Sequence, residues 1–217
     1  FNGQATVSVV QSCVPNIKNA WNMPVIDLNS TLVAIKIAST GHNMEIESTC
    51  PACQETNDFE LDLRNVLSQQ EVPDFHKSIA HGDLEIYFKP MTYENQNKIN
   101  LGQFEQQRAI TNIANSTDSE EVKTQNLNLV LASINEITTQ ALGFSIGGIK
   151  TPQALVTEQQ FIDEFLRNCD RNLYNKIKDY VVELREQGDL KPLEMTCSHC
   201  SHEYKQQFGL DNSNFFA

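Results

Sequence analysis

No stretch of this chain runs for eighteen apolar residues, so no transmembrane helix is expected, and no basic-then-apolar leader marks a signal peptide. Positive charge is also short: 16 Lys and Arg face 28 Asp and Glu, a net charge of −12, and no basic face is visible. Non-specific nucleic-acid binding depends on clustered cations that neutralise phosphates, so this balance weighs against it, and the acidic excess reads as a device for solubility. Enzyme signatures are absent too, with no P-loop, no G-x-G-x-x-G, no nucleophile elbow and no H-E-x-x-H. The run Gly147, Gly148, Ile149, Lys150 lacks the preceding glycine spacing and the following Ser or Thr of a phosphate cradle. The acidic runs at 45–47 and 60–62 read as exposed strand faces, and that at 118–121 as a helix start, where acids favour the macrodipole. A hydrolase built on these carboxylates would need two coupled acids in a deep pocket.

Cysteine is scarce, with six in 217 residues, but four of them fall in two C-x-x-C pairs, Cys50/Cys53 and Cys197/Cys200. Each pair has an alternating apolar approach (Met44, Ile46, Thr49; Leu193, Met195) and an alternating exit (Phe59, Leu61, Leu63; Tyr204, Phe208, Leu210). Period-two alternation is the mark of a half-buried strand, so each pair is predicted at the tip of a β-hairpin. Two such knuckles facing each other predict a split zinc ribbon, one structural zinc held by Cys50, Cys53, Cys197 and Cys200. Four protein ligands leave no open position for water or substrate, which makes the metal structural. A redox C-x-x-C would instead open a helix after a strand. His199 and His202 lie beside the second knuckle and could replace a cysteine, though the simpler reading leaves them exposed or in support; His42, His76 and His81 show no ligand spacing. Cys13 and Cys169 stand alone in helix-like sequence and are predicted to be buried small hydrophobes in a reducing compartment.

The fold class this predicts is α+β: a split zinc ribbon with a large, mostly helical insertion. Residues 1–217 form one elaborated domain, with N-terminal helices in 1–41, ribbon halves at 42–63 and 190–217, and inserted sequence at 64–189. The predicted elements begin with a helix over 5–14 stopped by Pro15, and a largely buried helix from Leu28 to Thr40, with Ala34 and Ala38 among its apolar residues, ended by Gly41. A short helical turn follows near 64–70, then a hairpin turning at Gly82 and Asp83. Thr92 is an N-cap candidate for a helix to Asn115, and Thr117 with Glu120 forms a capping box for a second helix carrying Leu127, Val130, Ile134 and Ile137. These two make an antiparallel hairpin over 92–141, either a structural arm or a surface awaiting a partner. A strand near 144–152 precedes two helices, one from Glu158 to Asn168 with a Thr157/Gln160 capping box, and one from Arg171 to Gln187 capped by Asp170. The long insertion between the halves of the zinc site is tolerable, because loop-closure entropy grows only logarithmically with length.

Six segments resemble, in order, the baseplate hub subunit and hub-assembly proteins of T-even-type contractile-tailed bacteriophages. They are SCVPNIKNAW at 12–21, CPAC at 50–53, KPMTYENQ at 89–96, EFLRNCDR at 164–171, TCSHC at 196–200 and DNSNFFA at 211–217. The family's lead segment is missing here, and the chain opens on Phe1 and not on methionine, so a preceding segment is expected. The resemblance implies a non-enzymatic protein of the virion tail baseplate or the infected host cytoplasm. It would contact other tail proteins, tape measure or spike components among them, as a homo- or hetero-oligomer. The aromatic pair in SNFF at 213–216 would be a plug packed on the ribbon or a docking peptide. The alternative function is a zinc-ribbon nucleic-acid-binding or transcription-associated adaptor, which the acidic residues around the first knuckle disfavour.

Overall fold

The computed structural model describes residues 3–208 and mixes helices with small antiparallel sheets. Its helices are α1 (Gln4–Cys13), α2 (Val25–Thr40), α3 (Leu63–Ser68), α4 (Tyr93–Asn115), α5 (Glu120–Phe144), α6 (Gln159–Asn168) and α7 (Arg171–Gly188). The strands are β1 (Asn43–Thr49), β2 (Thr56–Asp62), β3 (Ser78–His81), β4 (Leu84–Phe88), β5 (Ile146–Lys150), β6 (Leu155–Val156), β7 (Leu193–Thr196) and β8 (Glu203–Gln206). A 3-10 turn at Ala20–Asn22 fills the connector before α2.

Two apolar clusters organise these elements. The first gathers Val7 and Val10 of α1, Leu28, Leu32 and Val33 of α2, and Leu63 and Val66 of α3. Met44, Leu61, Leu193 and Phe208 pack against it from the roots of β1–β2 and β7–β8, so both hairpins are anchored in one place. The second cluster lies between the sheet β3-β4-β5-β6 and helices α5, α6 and α7, with Ile86, Ile146, Ile162 and Ile177 fully enclosed. Leu190, just past α7, is buried in the first cluster, so the chain leaves the second core and enters β7 beside the first hairpin. Near the start of α4, Trp21 stacks on Tyr93 with ring centroids 5.5 Å apart.

Several local expectations meet competing physics. The two hairpins remain separate two-stranded sheets and do not merge into one ribbon sheet. Leu63, expected on a strand exit, is the first residue of α3, because Asp62 caps that helix by accepting the Arg64 N–H at 2.9 Å. Strand β8 ends at Gln206, before Phe208; Leu210 and the SNFF aromatics lie outside the described residues. Helix α2 starts at Val25, three residues earlier than its apolar spacing suggests, and its buried side chains are Leu28, Leu32, Val33 and Ile35, with Ala34 and Ala38 exposed. Ser119, not Thr117, caps α5 by accepting the Val122 N–H. The Thr157 capping box does not form either: Glu158 is the N-cap of α6, and its own carboxylate accepts the Thr157 N–H. Cys13 is exposed, since α1 stops at that residue and no further turn covers it, and Cys169 is half-buried.

The glycine pair at 147–148 has a structural use. Tyr87 pairs with Gly148 and Phe88 with Ile146, leaving Gly147 as the extra residue of a β-bulge. A Cβ on Gly148 would stand 3.1 Å from Leu155 Cδ1, so close approach of β6 suits glycine there.

Candidate metal centre

Hairpin tips carry both C-x-x-C pairs, and their turns are built alike. In the first, the Cys50 N–H donates to the Glu55 carbonyl and the Gln54 N–H returns to the Cys50 carbonyl, both at 2.9 Å. In the second, the Cys197 N–H donates to the His202 carbonyl and the Ser201 N–H to the Cys197 carbonyl, again at 2.9 Å. Each knuckle closes through a left-handed residue one position past its second cysteine, Gln54 at φ 64° and Ser201 at φ 57°. Glycine would adopt that conformation without a Cβ penalty.

The thiols of Cys50, Cys53, Cys197 and Cys200 converge within 4.8 Å of one another. Across the joint, Cys50 Sγ lies 3.7 Å from Cys200 Sγ and Cys53 Sγ lies 3.6 Å from Cys197 Sγ. A disulfide would hold its sulfurs at about 2.05 Å, so these pairs are free thiols. A tetrahedron with metal–sulfur bonds of about 2.3 Å has edges of about 3.8 Å, so the spacing fits one four-coordinate ion. Cys50 and Cys197 are buried, Cys53 is half-buried and Cys200 reaches the surface.

Electrostatics divide the four thiols. Burial pushes the Cys197 thiol up, but the N–H groups of Cys200 and His199, the Asn57 amide and the Cys53 thiol outweigh it and draw it down to about 6. At Cys53 the Glu55 N–H pulls downward, yet burial and the other three thiols carry it up to about 12. Cys200 is raised as well: the His202 N–H opposes the shift, while burial and the Cys197 and Cys50 thiols drive it. One thiolate is thus favoured and its neighbours resist further negative charge. A divalent cation reverses that logic, because it draws all four thiols into the ionised form and releases protons as it binds.

Side chains that the cysteine pattern does not announce hold the two tips face to face. Buried Ser48 on β1 accepts from the Tyr204 hydroxyl at 3.0 Å and donates to Gln206 Oε1 at 3.1 Å. Buried Asn57 on β2 accepts from the Ser198 N–H and hydroxyl, both at 2.8 Å. His199 and His202 are exposed, and the His202 ring stacks beside Tyr204 at 6.3 Å. Among the remaining histidines, His81 pairs with Asp170 at 3.5 Å, outside the four-cysteine cluster.

The model of the T4 bacteriophage base plate protein family matches residues 2–217. The chain belongs to this family. Membership makes it a structural protein of the phage tail, at the baseplate, in contact with other tail proteins. No significant match is found among curated proteins or solved structures. For a baseplate-family protein the four-cysteine cluster reads as a site that could hold a metal, and among the described residues it is the group of cysteine, histidine and carboxylate side chains close enough to do so.

Proposed function

We propose that this protein is a component or assembly factor of the baseplate hub, clasped by one structural zinc on Cys50, Cys53, Cys197 and Cys200, and acting through protein contacts and not through turnover. The spacing of the four sulfurs supports zinc: soft thiolate ligands in a closed tetrahedral set suit that ion. The clasp would join the two hairpins whose cysteines stand 144 and 150 residues apart in sequence.

The observation that carries the contact reading is the helical pair α4–α5. Those helices pack mainly on each other, with a Cβ on Gly102 only 3.0 Å from Ile137 Cδ1. Yet α5 leaves Leu129 70% and Leu131 56% exposed, with Val122 and Leu127 also at the surface. Leu129 lies on the same face as Val122 and Leu131 on the same face as Leu127, and large apolar side chains paired in this way suit faces that other proteins cover. Nucleic acid suits the hairpin tips poorly, since β1 and β2 expose Glu45, Glu47, Asp58 and Glu60.

Elemental analysis of the purified chain tests the clasp: one zinc per chain is expected, lost with a large fall in melting temperature in a Cys197→Ser/Cys200→Ser variant. For the contact surface, Leu129→Ser/Leu131→Ser should melt like the parent yet fail to restore plaques to a phage lacking the gene. Full complementation by that variant would remove α5 from the reading, and metal-free parent protein would remove the zinc.

A further inference from the structure

The two knuckles differ at a position that changes their hydrogen bonding. The residue after the first cysteine is Pro51 in the first and Ser198 in the second, so only the second presents a backbone N–H there. That N–H and the Ser198 hydroxyl both donate to Asn57 Oδ1 at 2.8 Å, reaching across 141 residues of sequence. A backbone N–H can only donate, so it fixes which end of the Asn57 amide faces Ser198. The amide nitrogen then points the other way, donating to the Glu55 carbonyl of its own knuckle at 3.0 Å. Asn57 is 4% exposed; its oxygen takes two donors from the second knuckle and its nitrogen is held by the first.

We propose that Asn57 is the positioning residue of the metal centre: it ties Ser198, the neighbour of Cys197, to the Glu55 backbone of the first knuckle and so orders the second knuckle against the first, thereby setting metal affinity. The inference rests on the metal reading above. A divalent ion is bound most tightly by thiolates already held at its own spacing, and a residue behind the ligands that fixes them raises affinity. Asparagine meets the whole demand. Aspartate keeps an oxygen for Ser198 but has no N–H for the Glu55 carbonyl, and serine lacks the reach to serve both.

The test uses the full chain, with zinc(II) competed against a chromogenic chelator and cobalt(II) as the spectroscopic probe. Asn57→Asp should bind zinc about 10- to 100-fold more weakly, the range found when outer-shell partners are removed. Its visible cobalt(II) band should shift, because a second knuckle no longer tied to the first distorts the tetrahedron of sulfurs around the ion. A purely structural role would leave that band in place. Ser198→Pro, which copies the first knuckle and removes both donors to Asn57, should also weaken zinc binding, and in Asn57→Asp/Ser198→Pro the two losses should be less than additive. Should Asn57→Asp fail to fold, Ser198→Pro decides the point alone. Zinc affinity within twofold of the parent, with an unshifted cobalt band, would overturn the role of Asn57 while leaving the centre intact. A parent chain that binds neither ion would overturn the centre itself, and this inference with it.

Discussion

If the two hairpins are locked face to face by side chains, the bond between Ser48 and Tyr204 should show as energetic coupling between residues 156 positions apart. The perturbations are Ser48→Ala, Tyr204→Phe and the double variant. Ser48 is 4% exposed, and its Oγ serves two partners, accepting from Tyr204 and donating to Gln206. A neutral buried hydrogen bond nets about 0.5–1.5 kcal/mol. Gln206 is exposed and recovers water when its partner goes, so that bond sits at the low end. Tyr204 is half-buried, and its hydroxyl recovers less. Together these place Ser48→Ala at about 1–2 kcal/mol and Tyr204→Phe near about 1 kcal/mol, with about 0.5–1 kcal/mol shared between them. For a chain of this length, about 1 kcal/mol corresponds to roughly 2–4 °C in melting temperature, which calorimetry resolves. Urea denaturation of the purified protein gives the cycle directly. Losses that add to within about 0.3 kcal/mol would refute the joint, since independent sites add and bonded ones do not.

Other consequences are as direct. The Arg64 side chain, opposed by burial, holds the Asp62 carboxyl at about 2 against an ordinary 3.8, so this contact stabilises the fold above that ordinary value and loses its contribution as pH falls toward 2. Carboxyl NMR titration should show the low midpoint in the parent and a return toward 3.8 in Arg64→Gln. At Gly188 a Cβ would meet Ile26 Cγ2 at 2.7 Å and Pro73 Cγ at 2.9 Å, a branched methyl and a ring that cannot swing away. Gly188→Ala should therefore cost about 1–3 kcal/mol in urea denaturation, and an unchanged midpoint would mean that α7 does not press on α2 there. Ser201→Gly should raise stability by up to about 1 kcal/mol by relieving a left-handed non-glycine residue. Gln54→Gly should gain less, because it forfeits the bond from Gln54 Nε2 to the Pro51 carbonyl.

What the sequence discloses about this protein is what repeats along a few neighbouring residues. Met44, Ile46 and Ser48 alternate inward on β1, as Asn57, Phe59 and Leu61 do on β2, and that rhythm with T-C-x-x-C suffices to put a cysteine pair at each hairpin tip. The helices from Tyr93 to Phe144 and from Arg171 to Gly188 announce themselves by spacing in the same way. Near misses arise where two residues offer the same chemistry: Thr117 and Ser119 can each cap a helix, and the chain uses the one that lets α5 begin at Glu120. Long-range pairings leave no such trace. Nothing periodic says that β4 will pair with β5 some sixty residues on, or that Gly147 will be the bulge between them. Asn57 shows the limit most plainly. In the run Glu55 to Asp62 it is one polar residue among several, and no spacing rule selects it. Its meaning comes from valence: a buried amide must fill two acceptor and two donor positions, and the groups that fill them include Ser198, which the fold alone brings near. A missing rule could still have pointed there. Pro51 has no N–H to place and Ser198 has one, so the contrast marks the second knuckle as the one with a donor to direct, and β2 carries the acceptor that meets it.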